Sequence, residues 1–255
     1  MLFRLFGFAV AVVAASCLVT TAAAQTPSPI QILTRPLALP ISSPVYLAAS
    51  DTTSKTYYNG YQTTYTNYIN TNLKEGVAFT GAGLNQLDPQ RLYFLFDYAP
   101  RVYFIYGYAG YIDGLGATIA TLSSPSSSIL TGNTFTIFPS AHWNGNTTRT
   151  TTYPVQPGDF VQLPTVKAGQ QLAFFIYSNE DALGNPGNVF YNGKANNPDN
   201  FQHMIAFFPD NSQYIVIGFE DMYGGGDQDC NDLMFVVDIG PMNSLVLKNP
   251  SSLPK

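Results

Sequence analysis

From residue 77 onward, short apolar runs recur between clusters of Gly, Pro, Asn and Asp, which is the spacing of strands joined by turns. The runs predict ten strands, at 77–79, 91–96, 102–108, 117–122, 134–138, 160–163, 171–178, 201–208, 214–219 and 233–239. Three of them (QLAFFIYS, FQHMIAFF and YIVIGFE) are dense enough in apolar residues to predict central strands buried on both faces of their sheet. The pattern before residue 77 is different. Residues 25–50 carry Pro27, Pro29, Pro36, Pro40 and Pro44, which removes backbone donors and predicts an extended arm. The stretch TYYNGYQTTYTNYINTN sets five tyrosines within residues 57–68 among Thr and Asn, predicting a strand or a long loop. Its rings either pack on a sheet as an edge strand or line a face that binds glycan.

The fold class expected is therefore all-β, an antiparallel β-sandwich of jelly-roll-like form with an extended Pro-rich N-terminal arm. Its organisation is a signal peptide at 1–24, an arm and first strands at 25–75, the sandwich at 76–240 and a polar tail at 241–255. Residues 1–24 place Arg4 before an apolar run ending in Ala22-Ala23-Ala24, the layout of a cleaved secretory leader. No later run reaches the roughly 18 apolar residues of a spanning helix. The expectation is a protein secreted outside the cell, into a bacterial periplasm or onto an outer surface. Cys17 leaves with the leader, so Cys230 stands alone and stability must come from a core or a bound metal.

Composition adds two constraints. Charged residues are only 11% of the chain, which favours strands over surface helices laced with ion pairs. Eleven Lys and Arg stand against sixteen Asp and Glu, without a basic cluster, so nucleic acid is not an expected partner.

Five of those sixteen acids fall within thirteen positions, at Glu220, Asp221, Asp227, Asp229 and Asp232. Unit charges about 6 Å apart repel by roughly 0.7 kcal/mol in water and several-fold more near a protein surface. Crowding them between two apolar strands is costly unless a cation sits among them. Asp227, Asp229 and Asn231 alternate along the turn, and Gly224, Gly225 and Gly226 let it curl, so short oxygen-bearing side chains can converge as calcium requires. Asp232 and Asp238 stand where an EF-hand has Gly and Glu, which rejects that loop, and a lone nearby Cys230 disfavours zinc. A solvated turn, its acids bonded to local backbone, is the alternative reading of the same residues.

The segment GFEDMYGGGDQDCNDLMFVVD resembles the closing motif of the DUF4114 domain family. Upstream, VYFIYGYAGYIDGLGATI and VQPGDFVQLPTVKAGQQLAFFIYSN are similar to the family's early and middle segments, and Gln202-His203 to a polar pair before its penultimate strands. The similarity covers roughly residues 98–240. It implies a β-sandwich-like domain of bacterial secreted and surface proteins that binds calcium and has no established catalysis. The motif's acidic and amide positions fall on Glu220, Asp221, Asp227, Asp229, Asn231 and Asp232, the expected metal ligands. Cys230 replaces the family's usual aromatic, which puts the local packing and the exposure of its thiol in question.

No catalytic residues are assigned. His142 and His203 belong to no recognisable nucleophile motif, and the adjacent carboxylates Glu220-Asp221 and Glu180-Asp181 would point to opposite faces of a strand. Asn179 to Asn200 reads as a long Asn- and Gly-rich connection in which Asn179 and Asp181 are further ligand candidates. The functional expectation is a secreted, non-catalytic calcium module with a structural or adhesive role. A carbohydrate-binding module, using segment 57–68 and Trp143 against cell-surface or extracellular polysaccharide, is the alternative, and an unrecognised secreted hydrolase the second alternative.

Overall fold

Inward and outward side chains alternate along the apolar runs and build two antiparallel sheets packed face to face. The computed structural model describes residues 37, 39–41, 45–46, 52–57, 60, 62–107, 109–121, 132–145, 147–178, 187–209 and 212–249. The expected leader, Tyr58, Tyr61, Asn179, Glu180, Asp181 and the end of the tail lie outside the described residues.

The strands are β1 (Asn85–Leu87), β2 (Tyr93–Phe94), β3 (Arg101–Tyr106), β4 (Gly114–Thr121), β5 (Asn133–Phe138), β6 (Phe160–Gln162), β7 (Gln170–Ser178), β8 (Asn188–Tyr191), β9 (Met204–Phe208), β10 (Tyr214–Phe219) and β11 (Leu233–Asp238). One sheet has the order β1-β9-β10-β11-β3-β6; the other runs β2-β7-β4-β5, with β8 also paired to β7. Between the sheets, Phe104, Ala206, Ile217 and Phe235 meet Leu115, Ile137, Phe174 and Ile176 in the main core. Each fully buried Phe, Leu or Ile of this kind contributes about 1.5–3 kcal/mol.

The six-stranded sheet is apolar on its outer face as well. Tyr103, Ile105, Phe207, Val216, Met234 and Val236 form a second cluster there, covered by α1 (Thr52–Tyr57) and α2 (Thr63–Asn72). The strand or loop expected for the Tyr-rich stretch is thus corrected to helix. Tyr65, Ile69 and Leu73 recur every fourth residue and face the sheet. The Thr and Asn side chains, which suggested strand, fold back onto their own helix: Thr66 donates to the Gln62 carbonyl at 3.0 Å, Thr71 to Asn67 at 2.8 Å and Asn72 to Tyr68 at 2.7 Å. Tyr57 stacks on Tyr103 with ring centroids 3.9 Å apart.

The described part of the Pro-rich arm crosses both sheets. Ile41 bridges Thr136 of β5 and Tyr46 bridges Phe160 of β6, so the arm covers an edge strand of each sheet. Three further expectations are corrected. Residues 77–79 are not a strand; the 179–200 connection contains β8; and the tail begins with α3 (Pro241–Leu247). Asn243 ties α3 to the body, accepting from Leu95 and Phe96 amides at 3.0 Å and donating to the Phe96 and Ile239 carbonyls. Among the described residues, no helix is long and apolar enough to cross a membrane.

Candidate metal centre

The acidic turn is the connection from β10 to β11, whose strands pair from Tyr214↔Asp238 to Phe219↔Leu233 and deliver residues 220 and 232 side by side. Between them the backbone turns left-handed at Gly224, Gly225 and Gly226, and again at Gln228 (φ 64°) and Cys230 (φ 56°). A side-chain-bearing residue in that region costs about 1–3 kcal/mol, which the surroundings must offset. Two of the glycines are required for space too. A Cβ on Gly225 would lie 2.5 Å from the Phe201 ring, and one on Gly226 would lie 2.3 Å from Oε1 of Glu220.

The curled turn draws three carboxylates together. Single oxygens of Glu220, Asp229 and Asp232 lie within 4.8 Å of one another, and so do oxygens of Asp227, Asp229 and Glu75. Asp229 belongs to both groups and is held from two sides, its Oδ1 accepting from the Asn231 amide at 3.0 Å and its Oδ2 from Gly76 at 2.9 Å. Glu220 Oε2 accepts from the Gln228 amide at 3.1 Å, and Asp232 Oδ2 from the Asp221 amide at 3.0 Å. Asn231 directs its Nδ2 to the Leu73 carbonyl at 3.3 Å, and the Phe79 amide donates to the Gln228 carbonyl at 2.7 Å. The segment that leaves α2 is thereby laced to the turn, and it supplies Glu75.

Asp221 lines the same cavity but stands apart from the two groups. Its side chain is hydrogen-bonded to Asp113, itself 2% exposed, and its carbonyl accepts from the Ser178 hydroxyl. Its Oδ2 is buried without a hydrogen-bond partner. An unsatisfied buried carboxylate oxygen costs on the order of 1–3 kcal/mol or more.

Burial, and then the neighbouring acids, raise the carboxyls. Burial and Asp113 push Asp221 to about 8. Glu220 is raised by burial and by Asp232; Asp232 is raised by burial and by Asp221. Burial also raises Asp229, against the hydrogen bonds from Asn231 and Gly76. Among the described residues no Lys, Arg or His lines the cavity, whose volume is about 580 Å³.

Sequence reasoning missed Glu75 and Asp113. Nothing local to Glu75 marks it, and Asp113 stands alone in the sequence just before β4. Cys230 is 4% exposed, its thiol pushed far up by burial and by Glu220. His203 is fully buried, its ring joining Asp199 Oδ2 and the Glu220 carbonyl, each at 2.8 Å. Neither the sulfur nor the ring joins the grouped oxygens. The donor set is all oxygen, so it fits a hard cation such as calcium, whose 2.3–2.6 Å bonds let ligand oxygens about 4.8 Å apart share one ion.

The family model described as "Domain of unknown function (DUF4114)" matches residues 166–240. The chain carries a DUF4114 domain. That match runs from ahead of β7 through β11 and takes in the whole acidic turn. Glu75 and Asp113 lie outside it, so the centre joins the DUF4114 domain to earlier parts of the chain. No curated protein and no solved structure matches the sequence.

Proposed function

We propose that this chain is a secreted calcium-binding module with a structural or adhesive role and no catalysis, in which the ion holds the β10–β11 turn to the segment after α2. The observation that carries this reading is the convergence of Glu220, Asp229 and Asp232 oxygens within 4.8 Å, beside a cavity that Glu220 and Asp232 line and that has no basic side chain among its described residues. Asp227 and Glu75 offer further oxygens around Asp229, and the unpartnered Oδ2 of Asp221 a nearby one. A cation there neutralises acids that otherwise retain protons or repel one another. Secretion, read from the leader, places the module where calcium is at millimolar concentration and fills extracellular-type sites.

The test is calorimetry of the mature protein, with thermal unfolding alongside. A site with Kd about 0.1 mM, of the extracellular type, gains about 1.4 kcal/mol at 1 mM calcium, which raises Tm by roughly 3–6 °C for a domain of this size. No binding heat and an unchanged Tm at millimolar calcium would dispose of the reading.

The Tyr-rich segment and Trp143 give little support to a glycan platform. Tyr57 and Tyr65 are buried under 3% exposure, Tyr68 stacks on Phe207, and Trp143 is half-buried against Tyr106.

A further inference from the structure

The cavity beside the acids is far larger than an ion. Its lining combines carboxylates with Ala109, Gly110 and Tyr111, from the loop between β3 and β4, and with Met222. Met222 is 47% exposed, so the lining includes an accessible apolar side chain. At about 580 Å³ the space falls within the 300–1,000 Å³ typical of small-ligand pockets. Asp221 is among the lining residues, 2% exposed, and beneath that lining its buried Oδ2 has no hydrogen-bond partner.

A calcium ion takes six to eight oxygens. An ion seated against one wall of an open cavity keeps part of its coordination for exchangeable ligands on the other side. The lining itself excludes one class of them. Glu75, Glu220, Asp221, Asp227 and Asp232, with the shared ligand Asp229 beside them, carry six negative charges when ionised, so one divalent ion leaves the site at −4 and two leave it at −2. Anionic ligands are repelled and neutral oxygen donors are not. Small residues and a tyrosine in the same lining suit a flat, hydroxyl-rich molecule with an apolar face, which is what a sugar ring presents.

Resting on the calcium reading above, the geometry points to a calcium-dependent site for neutral saccharides in this cavity, with vicinal hydroxyls completing the ion's coordination and Tyr111 and Met222 bordering the ring. The glycan surface thus lies at the acidic turn and not on the Tyr-rich helices.

The experiment uses the mature protein on an array of neutral and acidic glycans, with 2 mM calcium or with EDTA, after calcium binding has been measured separately by calorimetry. Expected is retention on neutral glycans with calcium and none with EDTA. The selective variant is Gly110→Phe. Gly110 lines the cavity, a Cβ there meets nothing within 4 Å and its backbone is not left-handed, so a larger side chain starts into open space. It should leave calcium affinity within about threefold and weaken glycan binding at least tenfold. Met222→Ala, at an exposed lining position, serves as a second variant if Gly110→Phe fails to fold, with a smaller loss of at least threefold expected. Calcium binding without neutral-glycan retention, retention that survives EDTA, preference for acidic glycans, or unchanged retention in the variants overturns the saccharide site while leaving the calcium reading intact. Failure to bind calcium removes both.

Discussion

Lowering the pH from 8 to 6 should weaken calcium binding steeply. Asp221 holds its proton up to about pH 8, so at pH 6 nearly every molecule must release that proton before the carboxylate can take part in binding. For one such group the occupancy arithmetic gives about a fifty-fold rise in Kd between pH 8 and pH 6, since each pH unit below the pKa costs about 1.4 kcal/mol. Glu220 and Asp232 are raised as well, so the measured change should exceed that figure. Calorimetry at pH 7 in buffers of different ionisation enthalpy should count about one proton or more released per binding event. Without calcium, the sign of the stability change follows from the same shifts. The native state keeps protons that the unfolded chain gives up near pH 4, so stability falls as pH rises from about 4 through 8. Saturating calcium should remove that fall. A Kd that stays constant within twofold from pH 6 to pH 8, with no proton release, would refute both the shifted carboxyls and their place in the site.

Three further predictions follow from the same geometry. Glu75→Gln should weaken calcium binding roughly tenfold and speed amide exchange across α2, because the side chain joins that segment to Asp227 and Asp229; unchanged exchange with calcium present would count against the connection. Gly226→Ala puts a methyl against Glu220 in a left-handed residue, and should cost about 1–3 kcal/mol in denaturant unfolding as well as reducing calcium affinity. Cys230 should resist a thiol reagent in the native protein and react on unfolding, since it is buried and its pKa is raised; rapid labelling of the folded chain would contradict its placement.

Legibility in the sequence tracked how local the deciding contacts are. The run at 214–219 is strand β10 to the residue because every position in it is buried, so no polar register competes with it. The Tyr-rich stretch was misread because Tyr and Thr favour strands by propensity. The deciding facts, an apolar outer sheet face to cover and Thr hydroxyls satisfied within the helix, are tertiary or local to the helix itself. β8 was hidden by flanking Asn and Gly, and α3 by the polar residues of its tail. At the site, the alternating Asp227, Asp229 and Asn231 could be read because one turn carries them. Glu75 arrives from the end of α2 and Asp113 from the turn before β4, and no spacing rule connects positions that meet only after two sheets have formed. Nothing in the sequence marks the bond that Asn231 makes, its Nδ2 donating to the Leu73 carbonyl.

The position of β11 bears on the order in which the molecule can be assembled. This final strand lies between β10 and β3, in the interior of the six-stranded sheet. A chain that has emerged only as far as residue 232 therefore holds two fragments, β1-β9-β10 and β3-β6, each with an unpaired edge where β11 belongs. The outer face that α1 and α2 cover is incomplete for the same interval, since Met234 and Val236 belong to it. The acidic turn is the hinge on which the last strand swings into that gap, and its charges converge only as the gap closes. Whatever neutralises them then acts on the rate of the final closing step, and with it on how long the open edges are available to another chain.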